Sequence, residues 1–396
     1  MLALAVALSV SFAALAAWTW RRGAFPSGGW AGGSSDHFSH YNSAIVLFHR
    51  GLDVWRKPLV DVCPPAPAAG VYGEFPAHDV CNLPERGESR PLVMNWRQFP
   101  RPYPPGWALW HAPAALLHEA TSVGVYALNR LVVIQDLLAA HGALGLLALI
   151  LFSRRPGEPP PDGATFLLRA FTLALAGGEL LRWSMLGYYD VAAVALALLA
   201  VLRLRDGRDA DAAAWLAAAL FLHFRTLWLA PLFAWIARRL LLAGRGALAA
   251  GRGRLALAAA LVALALGAFA LVRPALADFP PTSPVFRFRF DPKNAEHWNL
   301  VVPLALAFWG LARARAFLVG AVAAFQLFVL TNTPQAQAWH SLFLLPVLAL
   351  ARTAPGARRG AELATCALFV VECRSIFGQA PLLGSWLASL FAPPAG

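Results

Sequence analysis

Charged side chains are scarce in this sequence, and those that border its long apolar runs are the first candidates for chemistry. They fall in five places: the polar segment that contains Asp36, the turn from Glu179 to Asp190, the pair His223 and Arg225, the loop 273–298, and the turn 331–340. Ionisable groups at membrane level are costly, so each is a functional candidate by default. We expect the five places to share one cavity, in which carboxylates would move protons and cations would bind anions.

Asp36 is the foremost candidate for a base. It follows the Gly/Ser-rich stretch 28–35 and precedes residues 39–50, where Tyr41, Ile45 and Phe48 share one helix face. The spacing predicts a short amphipathic helix along a membrane surface. An aspartate in that position also fits a helix N-cap, and this reading stays open. The competing carboxylates in the same segment are Asp53, Asp61, Glu74 and Asp79.

The composition requires a lipid environment. Of 396 residues 59% are hydrophobic and 14% are charged, whereas soluble domains carry roughly 25% charged residues. The net charge of +12 does not form one basic patch, which argues against nucleic-acid binding. Short arginine clusters separate the apolar runs instead, as the positive-inside rule predicts for cytoplasmic loops. These clusters are 154–155, 203–208, 238–254, 313–315 and 352–359.

We therefore predict an all-α, multi-pass protein of the plasma (inner) membrane with about 10–12 hydrophobic segments. Residues 1–20 form the first transmembrane helix; a signal peptide cleaved at 14–17 is the alternative, and the lack of a basic n-region favours an uncleaved helix. Residues 21–103 form a large extracytoplasmic loop, and residues 104–396 form a multi-helix membrane domain. The predicted runs after the loop are 104–118, 124–152, 164–181, 189–203, 212–237, 255–272, 299–312, 316–331, 339–351, 362–377 and 381–392.

Two of these runs pose a topological problem. The run 212–237 has basic residues at both ends, so it either re-enters the membrane or breaks at His223-Phe224-Arg225. Residues 104–152 must cross an odd number of times between an outer loop and an inner arginine cluster, yet they form two runs. Either 104–118 is only half inserted, or one cluster departs from the positive-inside rule.

The four cysteines divide into two pairs. Cys63 and Cys81 lie in the large polar segment, and an extracytoplasmic location makes a disulfide between them plausible. Cys366 and Cys373 are seven residues apart in a late apolar run and read as packing residues. Neither pair has the spacing of a metal finger.

Several short motifs, in order, resemble a known family. They are Ser35-Asp36-His37-Phe38-Ser39-His40-Tyr41-Asn42-Ser43-Ala44, Gly51-Leu52-Asp53-Val54-Trp55 with Pro58, Tyr103-Pro104-Pro105, Leu186-Gly187-Tyr188-Tyr189-Asp190, His223-Phe224-Arg225 with Pro231, Thr333-Pro334, Trp339-His340, and Leu344-Leu345-Pro346. Together they resemble the glycosyltransferases of the GT-C superfamily, and most closely the polyprenyl-phosphate-mannose-dependent mannosyltransferases of the GT87-like group. The sequence departs from that pattern with Arg225 where a lysine is usual, and with Tyr188-Tyr189-Asp190 in place of a Gly-polar-Asn turn.

The resemblance implies inverting transfer of a single sugar, typically mannose, from a polyprenyl-phosphate donor to a lipid or glycan acceptor on the extracytoplasmic face. Asp36 would be the general base. The donor phosphate and sugar would be bound by Arg225, His340, Arg182 and Arg101. Acceptor contact or support would come from His37, Tyr103 and Asp190. The donor is a substrate, so neither a cofactor nor a metal is expected.

Other functions remain open at this stage. A glycan polymerase or ligase would use similar groups, and so would a multi-pass transporter of lipid-linked sugars. Transporters often consist of two corresponding halves, and this sequence has no visible internal repeat. A non-catalytic membrane scaffold would not need the outward carboxylates and arginines.

Overall fold

The computed structural model describes residues 2–22, 44, 47–48, 104–120, 125–154, 160–185, 187–277, 342–353 and 366. These residues are almost all helical, and no strand occurs among them. Numbered in chain order, the helices are α1 (Leu2–Arg22), α2 (Gly106–Ala120), α3 (Val125–Phe152), α4 (Gly163–Met185), α5 (Asp190–Arg205), α6 (Asp209–Leu222), a 3-10 helix (Phe224–Leu229), α7 (Ala230–Leu242), α8 (Gly244–Ala250), α9 (Arg252–Ala277) and α10 (Leu345–Thr353).

Three helices of the described part are long and apolar enough to cross a membrane. The spans are Ala3–Arg21 in α1, Arg130–Phe152 in α3 and Gly163–Met185 in α4. About 30 Å of hydrocarbon requires roughly 20 residues of helix, which each span supplies. These helices indicate a membrane-embedded protein, in agreement with the composition.

The described helices pack around α3 and α5. Half of the α3 span is buried, against only 6% of the α1 span, so α3 is central and α1 is peripheral. Buried residues occur on every side of α5, which is the expected pattern for a helix enclosed by other helices. Helices α3, α6 and α10 pack against α5, and α9 packs against α6.

One end of the bundle carries a group of paired arginines, and we call it the arginine end. Ser153 lies just after α3. Arg205 donates a hydrogen bond to the hydroxyl of Ser153, and Arg352 donates one to the carbonyl oxygen of Ser153. At the start of α6, Asp209 binds Arg239 at 3.0 Å. The neighbouring Asp211 likewise pairs with Arg208 and Arg254. Contacts among the described residues thus gather members of the predicted clusters 203–208, 238–254 and 352–359 at one end, next to the cluster that begins at Arg154.

The opposite end of the bundle contains Asp190, the first residue of α5. Fifteen helical steps separate Asp190 from Arg205, which is about 22 Å at 1.5 Å per residue. Helix α3 runs toward the arginine end, and α4 returns beside it, because Phe152 contacts Phe166 and Leu144 lies next to Gly177. The two ends are therefore separated by most of a hydrocarbon thickness.

Helix α1 is antiparallel to α3. His141 Nε2 lies 3.2 Å from Ser11 Oγ, and Arg130 donates to the carbonyl oxygen of Trp20 at 2.8 Å. The second contact puts a cation at the C-terminus of α1, where the helix dipole favours positive charge. The N-terminus of α1 accordingly points toward the arginine end.

Helix α2 lies beside the first half of α3. Trp110 Nε1 donates to Asp136 Oδ1 at 2.8 Å, and Gln135 Nε2 donates to the carbonyl oxygen of Trp110 at 2.9 Å. Only four residues connect α2 to α3, so the two helices are antiparallel and α2 runs away from the arginine end beyond Trp110. Between the alternatives left open for residues 104–152, this arrangement favours a half-inserted α2 and one full crossing by α3.

The apolar run 212–237 breaks where the sequence predicted. Helix α6 ends at Leu222, His223 is extended (φ −147°, ψ 121°), and the 3-10 helix leads into α7. The ion pair between Asp209 and Arg239 brings the far ends of α6 and α7 together at the arginine end. The run is therefore a helical hairpin whose tip contains His223 and Arg225.

The predicted surface helix 39–50 is described at three positions only. Ala44, Leu47 and Phe48 are helical, which agrees with the helix prediction. Ala44 is fully buried, and the other two side chains pack against the core. At these positions the segment therefore packs against the helical bundle. The rest of the predicted loop 21–103 lies outside the described residues, apart from Arg21 and Arg22 at the end of α1.

Candidate functional site

A tight turn between α4 and α5 positions Asp190. The backbone N–H of Tyr188 donates to Trp183 O at 3.0 Å, and that of Gly187 donates to Ser184 O at 2.9 Å. Gly187 has a φ of 80°, a left-handed value that suits glycine. These are the bonds of a Schellman motif, and the expected side-chain contact is present, since the rings of Trp183 and Tyr188 are 5.4 Å apart. The turn delivers Asp190 to the N-terminus of α5, where the helix dipole stabilises its negative charge.

The tip of the α6–α7 hairpin positions His223 and Arg225. The backbone N–H of Arg225 donates to Nδ1 of His223 at 3.1 Å. An imidazole nitrogen that accepts a hydrogen bond carries no proton, so the ring is neutral and its proton is on Nε2. Nε2 lies 3.4 Å from Asp190 Oδ1. The local backbone bond therefore selects the tautomer that turns an N–H toward Asp190.

Asp190 joins the two segments through its carboxylate. Arg225 Nη1 donates to Asp190 Oδ1 at 2.9 Å, across 35 residues of sequence. The side chains of His223 and Asp190 are 1% and 3% exposed, whereas that of Arg225 is 12% exposed. A buried charge is tolerated when it is paired and hydrogen-bonded, as both charges are here. Arg225 is the member of the group that reaches toward the surface.

Aromatic rings from Tyr189, beside Asp190, and from two further segments enclose this group. The ring centroid of Tyr189 is 5.0 Å from that of His223 and 5.5 Å from that of His111 in α2. Phe343, which precedes α10, lies 6.0 Å from His223. We call the six residues His111, Tyr189, Asp190, His223, Arg225 and Phe343 the Asp190 layer. It brings together four segments that are widely separated in the sequence.

Gly106 allows α2 to approach the end of α6. A Cβ atom at this position would lie 2.4 Å from the carbonyl oxygen of Phe221 and 2.6 Å from the Cα of Leu222. Both are backbone atoms and cannot rotate away, so any side chain at Gly106 would displace α2. Sequence reasoning did not select Gly106, although it directly follows the Tyr103-Pro104-Pro105 motif.

Asp136 is another buried carboxylate, and unlike Asp190 it was not identified from the sequence. It is fully buried in the α3 span. Its Oδ1 accepts the hydrogen bond from Trp110 Nε1, while Oδ2 has no hydrogen-bond partner among the described residues. A charged residue inside an apolar run is the signal that could have identified it, because Asp136 is the only acidic residue between 125 and 152.

Near the C-terminus of α4, Arg182 is exposed and Glu179 is buried. The Arg182 guanidinium lies 4.8 Å above the ring of Trp183, and Trp183 Nε1 donates to Glu179 at 2.8 Å. Arg182 is thus at the same end of the bundle as Asp190, and one of its contacts is to an aromatic ring. The predicted site residues Asp36, His37, Arg101, Tyr103 and His340 lie outside the described part of the chain, as do Cys63 and Cys81.

The site offers charge and hydrogen bonds to a ligand. Within the described ranges, no group of three or more His, Cys, Asp or Glu side chains is arranged to hold a metal ion. The partly exposed Arg225 guanidinium is suited to an anion such as a phosphate. The chain matches no model of a protein family, no curated protein and no solved structure. Function must therefore be argued from the residues themselves.

Proposed function

We propose that the protein is a multi-pass glycosyltransferase of the plasma membrane that transfers one sugar from a polyprenyl-phosphate donor to a lipid or glycan acceptor. Mannose is the first donor to test. In this proposal the arginine end is cytoplasmic, as the positive-inside rule requires, and the Asp190 layer is at the extracytoplasmic side. In this proposal the bundle is a GT-C-like assembly.

One observation carries the proposal. Two of the short motifs that resemble the GT-C family supply residues of the Asp190 layer, and residues adjacent to two others lie in or beside it. The two motifs contribute Asp190 and the His223–Arg225 pair. Pro104 and Pro105 directly precede α2, whose Gly106 lies against the end of α6, and Phe343 of the layer directly precedes Leu344-Leu345-Pro346. Weak motifs scattered by chance would have no reason to converge.

The chemistry of the layer suits such a donor. A polyprenyl phosphate is a good leaving group once its developing negative charge is stabilised, and a preorganised guanidinium provides that stabilisation. We assign Arg225 to the donor phosphate, with His340 as a second expected contact. Arg182 and Arg101 are further candidates for the phosphate.

The base in this proposal is Asp36. An inverting transfer needs one carboxylate to accept the proton of the acceptor hydroxyl as the oxygen attacks the anomeric carbon and the phosphate leaves. His37 and Tyr103 would support the acceptor. The donor supplies the activated bond, so the reaction as written balances without an added cofactor.

The direct test uses the purified protein in detergent, incubated with polyprenyl-phosphate-[14C]mannose and a membrane lipid extract. Wild type should transfer radioactivity to a new lipid or glycan product, and Asp36→Asn should not. Asp206→Asn is the matched control, because Asp206 is an exposed carboxylate of the arginine end, and it should retain full activity. Full transfer by Asp36→Asn would remove Asp36 as the base. Absence of transfer by wild type from mannose, glucose and arabinose donors would refute the proposed function.

A further inference from the structure

The contacts of Arg225 assign different tasks to Arg225, Asp190 and His223, three of the six residues of the Asp190 layer. Arg225 is the most exposed of them. Its guanidinium is hydrogen-bonded to Asp190, and its backbone N–H is hydrogen-bonded to His223. Asp190 and His223 are almost completely enclosed by the bundle. A group that must touch a substrate needs access, so only Arg225 suits contact with a ligand.

We propose that Asp190 and His223 are positioning residues that preorganise Arg225 for a phosphate anion, and that Asp190 does not touch the acceptor. This inference rests on the proposed function for the identity of the anion, a polyprenyl phosphate. It differs from the expectation drawn from sequence, in which Asp190 could contact the acceptor. Arg225 is positioned in three steps: through its backbone, through the tautomer of His223 and through the orientation of its guanidinium.

The first step is the backbone. Arg225 is the second residue of a 3-10 helix, and such short helices have weaker hydrogen-bond geometry than α-helices. The bond from its N–H to His223 Nδ1 gives this donor a partner inside the bundle. Thr226 N–H also donates to the His223 carbonyl oxygen at 3.0 Å. Two hydrogen bonds to His223 therefore fix the turn from which the Arg225 side chain projects.

The second step is the tautomer. Because Nδ1 accepts a hydrogen bond, His223 presents Nε2–H to Asp190 Oδ1 at 3.4 Å. The rings of Tyr189, Phe224 and Phe343 pack around the imidazole and restrict its rotation. His223 therefore holds the Asp190 carboxylate from one side through Nε2–H. Through Nδ1 it also holds the backbone N–H of Arg225.

The third step is the guanidinium. A guanidinium carries five N–H donors in a rigid plane, and the bond to Asp190 Oδ1 uses Nη1. Because Asp190 is anchored at the start of α5, this bond sets the direction in which the plane faces. A cation held in advance loses less conformational entropy when it binds a phosphate than a mobile side chain does. The pair is also neutral before the anion arrives, which avoids an uncompensated buried charge.

Arginine-selective labelling tests the positioning without requiring catalysis. Protein in lipid nanodiscs is treated with phenylglyoxal, and modification of Arg225 is measured by mass spectrometry. Arg238, which is exposed near the other end of the bundle, is the internal control. In wild type, polyprenyl phosphate without a sugar should protect Arg225 but not Arg238. In Asp190→Asn, Arg225 should be labelled faster, and the same concentration of polyprenyl phosphate should protect it less.

Variants of His223 separate positioning from packing. Asparagine retains a polar atom near the position of Nδ1, and glutamine retains one near Nε2, whereas leucine fills much of the space without either. We expect protection of Arg225 by polyprenyl phosphate to be strongest in wild type, intermediate in His223→Asn and His223→Gln, and weakest in His223→Leu. Equal protection in wild type and a folded His223→Leu variant would overturn the role of His223.

Kinetics provide the second readout. Asp190→Asn should raise the KM for the donor and lower kcat/KM about 10- to 100-fold, the range that corresponds to loss of a hydrogen bond to a charged group. The KM for the acceptor should not change, and Asp190→Glu should recover part of the donor affinity. A selective rise in the acceptor KM would show that Asp190 contacts the acceptor and would overturn the inference.

The two proposals can fail separately. Protection of Arg225 by polyprenyl phosphate in a protein that transfers no sugar would support the positioning of an anion site and refute the glycosyltransferase. Sugar transfer by wild type without any protection of Arg225 would support the glycosyltransferase and refute the anion site at Arg225. Failure of both measurements would refute both proposals.

Discussion

Arg225 Nη1 and Asp190 Oδ1 are 2.9 Å apart, although 35 residues and two helices separate them in the sequence. This ion pair connects the tip of the α6–α7 hairpin to the first residue of α5. Both side chains are largely enclosed, with 12% and 3% of their surfaces exposed. The pair thus fastens the hairpin tip to the centre of the bundle and holds the only cation of the Asp190 layer.

Removal of either charge alone should destabilise the protein. A buried ion pair that loses one partner leaves an uncompensated charge, which typically costs about 3–5 kcal/mol. Arg225→Met and Asp190→Leu should each lower the unfolding temperature of the purified protein. The double variant should recover much of the loss, because it contains no unpaired buried charge. A double-mutant cycle measured by thermal unfolding in detergent gives the coupling energy.

The matched control for this cycle is the pair Arg205 and Asp206, which is partly exposed at the arginine end. Exposed pairs contribute about 0–1 kcal/mol. Asp206→Asn should therefore have little effect on unfolding. If the two single variants at Asp190 and Arg225 unfold like wild type, the pair does not hold the hairpin tip.

The helices were largely predictable, because hydrophobic runs and arginine clusters are local features of the sequence. The run 124–152 corresponds to α3 (Val125–Phe152), and the break at His223 follows from polar residues inside an apolar run that has two basic ends. The ion pair between Asp190 and Arg225 was not predictable. Each residue was a candidate by itself, but their contact depends on how α5 and α6 pack, and no local pattern encodes that register.

Asp136 and Gly106 were not identified from the sequence, for two different reasons. Asp136 is one acid in an otherwise apolar run, and the length of that run outweighed the single charge in the prediction. Gly106 adjoins a recognised motif, yet its role arises from the backbone of Phe221 and Leu222, more than 100 residues away. The charge could have been noticed in the sequence, whereas the close approach required the fold.

A side chain at Gly106 should disrupt the contact between α2 and α6. In Gly106→Ala the new Cβ atom would overlap backbone atoms of Phe221 and Leu222. Overpacking of this kind costs about 1–3 kcal/mol, and we expect a loss of at least this size. Gly142→Ala is the control, since a Cβ atom there meets nothing within 4 Å and alanine favours a helix interior by about 1 kcal/mol. Thermal unfolding compares the two; equal stability would contradict the close approach.

The bond between Trp110 and Asp136 should contribute to the attachment of α2 to α3. Trp110→Phe removes the donor to Asp136 Oδ1 and leaves a buried acceptor unsatisfied, which costs about 1–3 kcal/mol. In an Asp136→Leu background the same substitution should cost much less, because no buried carboxylate remains. The difference between the two backgrounds, measured by thermal unfolding, is the coupling energy. A Trp110→Phe effect of the same size in both backgrounds would show that the hydrogen bond is not responsible.

Asp136→Asn tests the carboxyl group of Asp136 separately from the hydrogen bond to Trp110. The amide oxygen of asparagine can still accept the hydrogen bond from Trp110 Nε1, while the substitution removes a carboxyl group whose ionised form is costly to bury. We expect unfolding at or above the wild-type temperature. A large destabilisation would mean that the carboxyl group of Asp136 has a stabilising partner beyond its bond to Trp110.

The orientation of the bundle predicts the side from which single cysteines can be labelled. Arg182 is exposed near the C-terminus of α4, and Asp206 is exposed at the arginine end. Because α4 and α5 connect at the Asp190 end, Arg182 and Asp206 should be on opposite sides of the membrane. In a background with the four native cysteines replaced by serine, Arg182→Cys should react with an impermeant maleimide in intact cells. Asp206→Cys should react only in inverted membrane vesicles or after lysis. Labelling of both cysteines from the same side would contradict the crossing by α5, and reversal of the two results would make the arginine end extracytoplasmic.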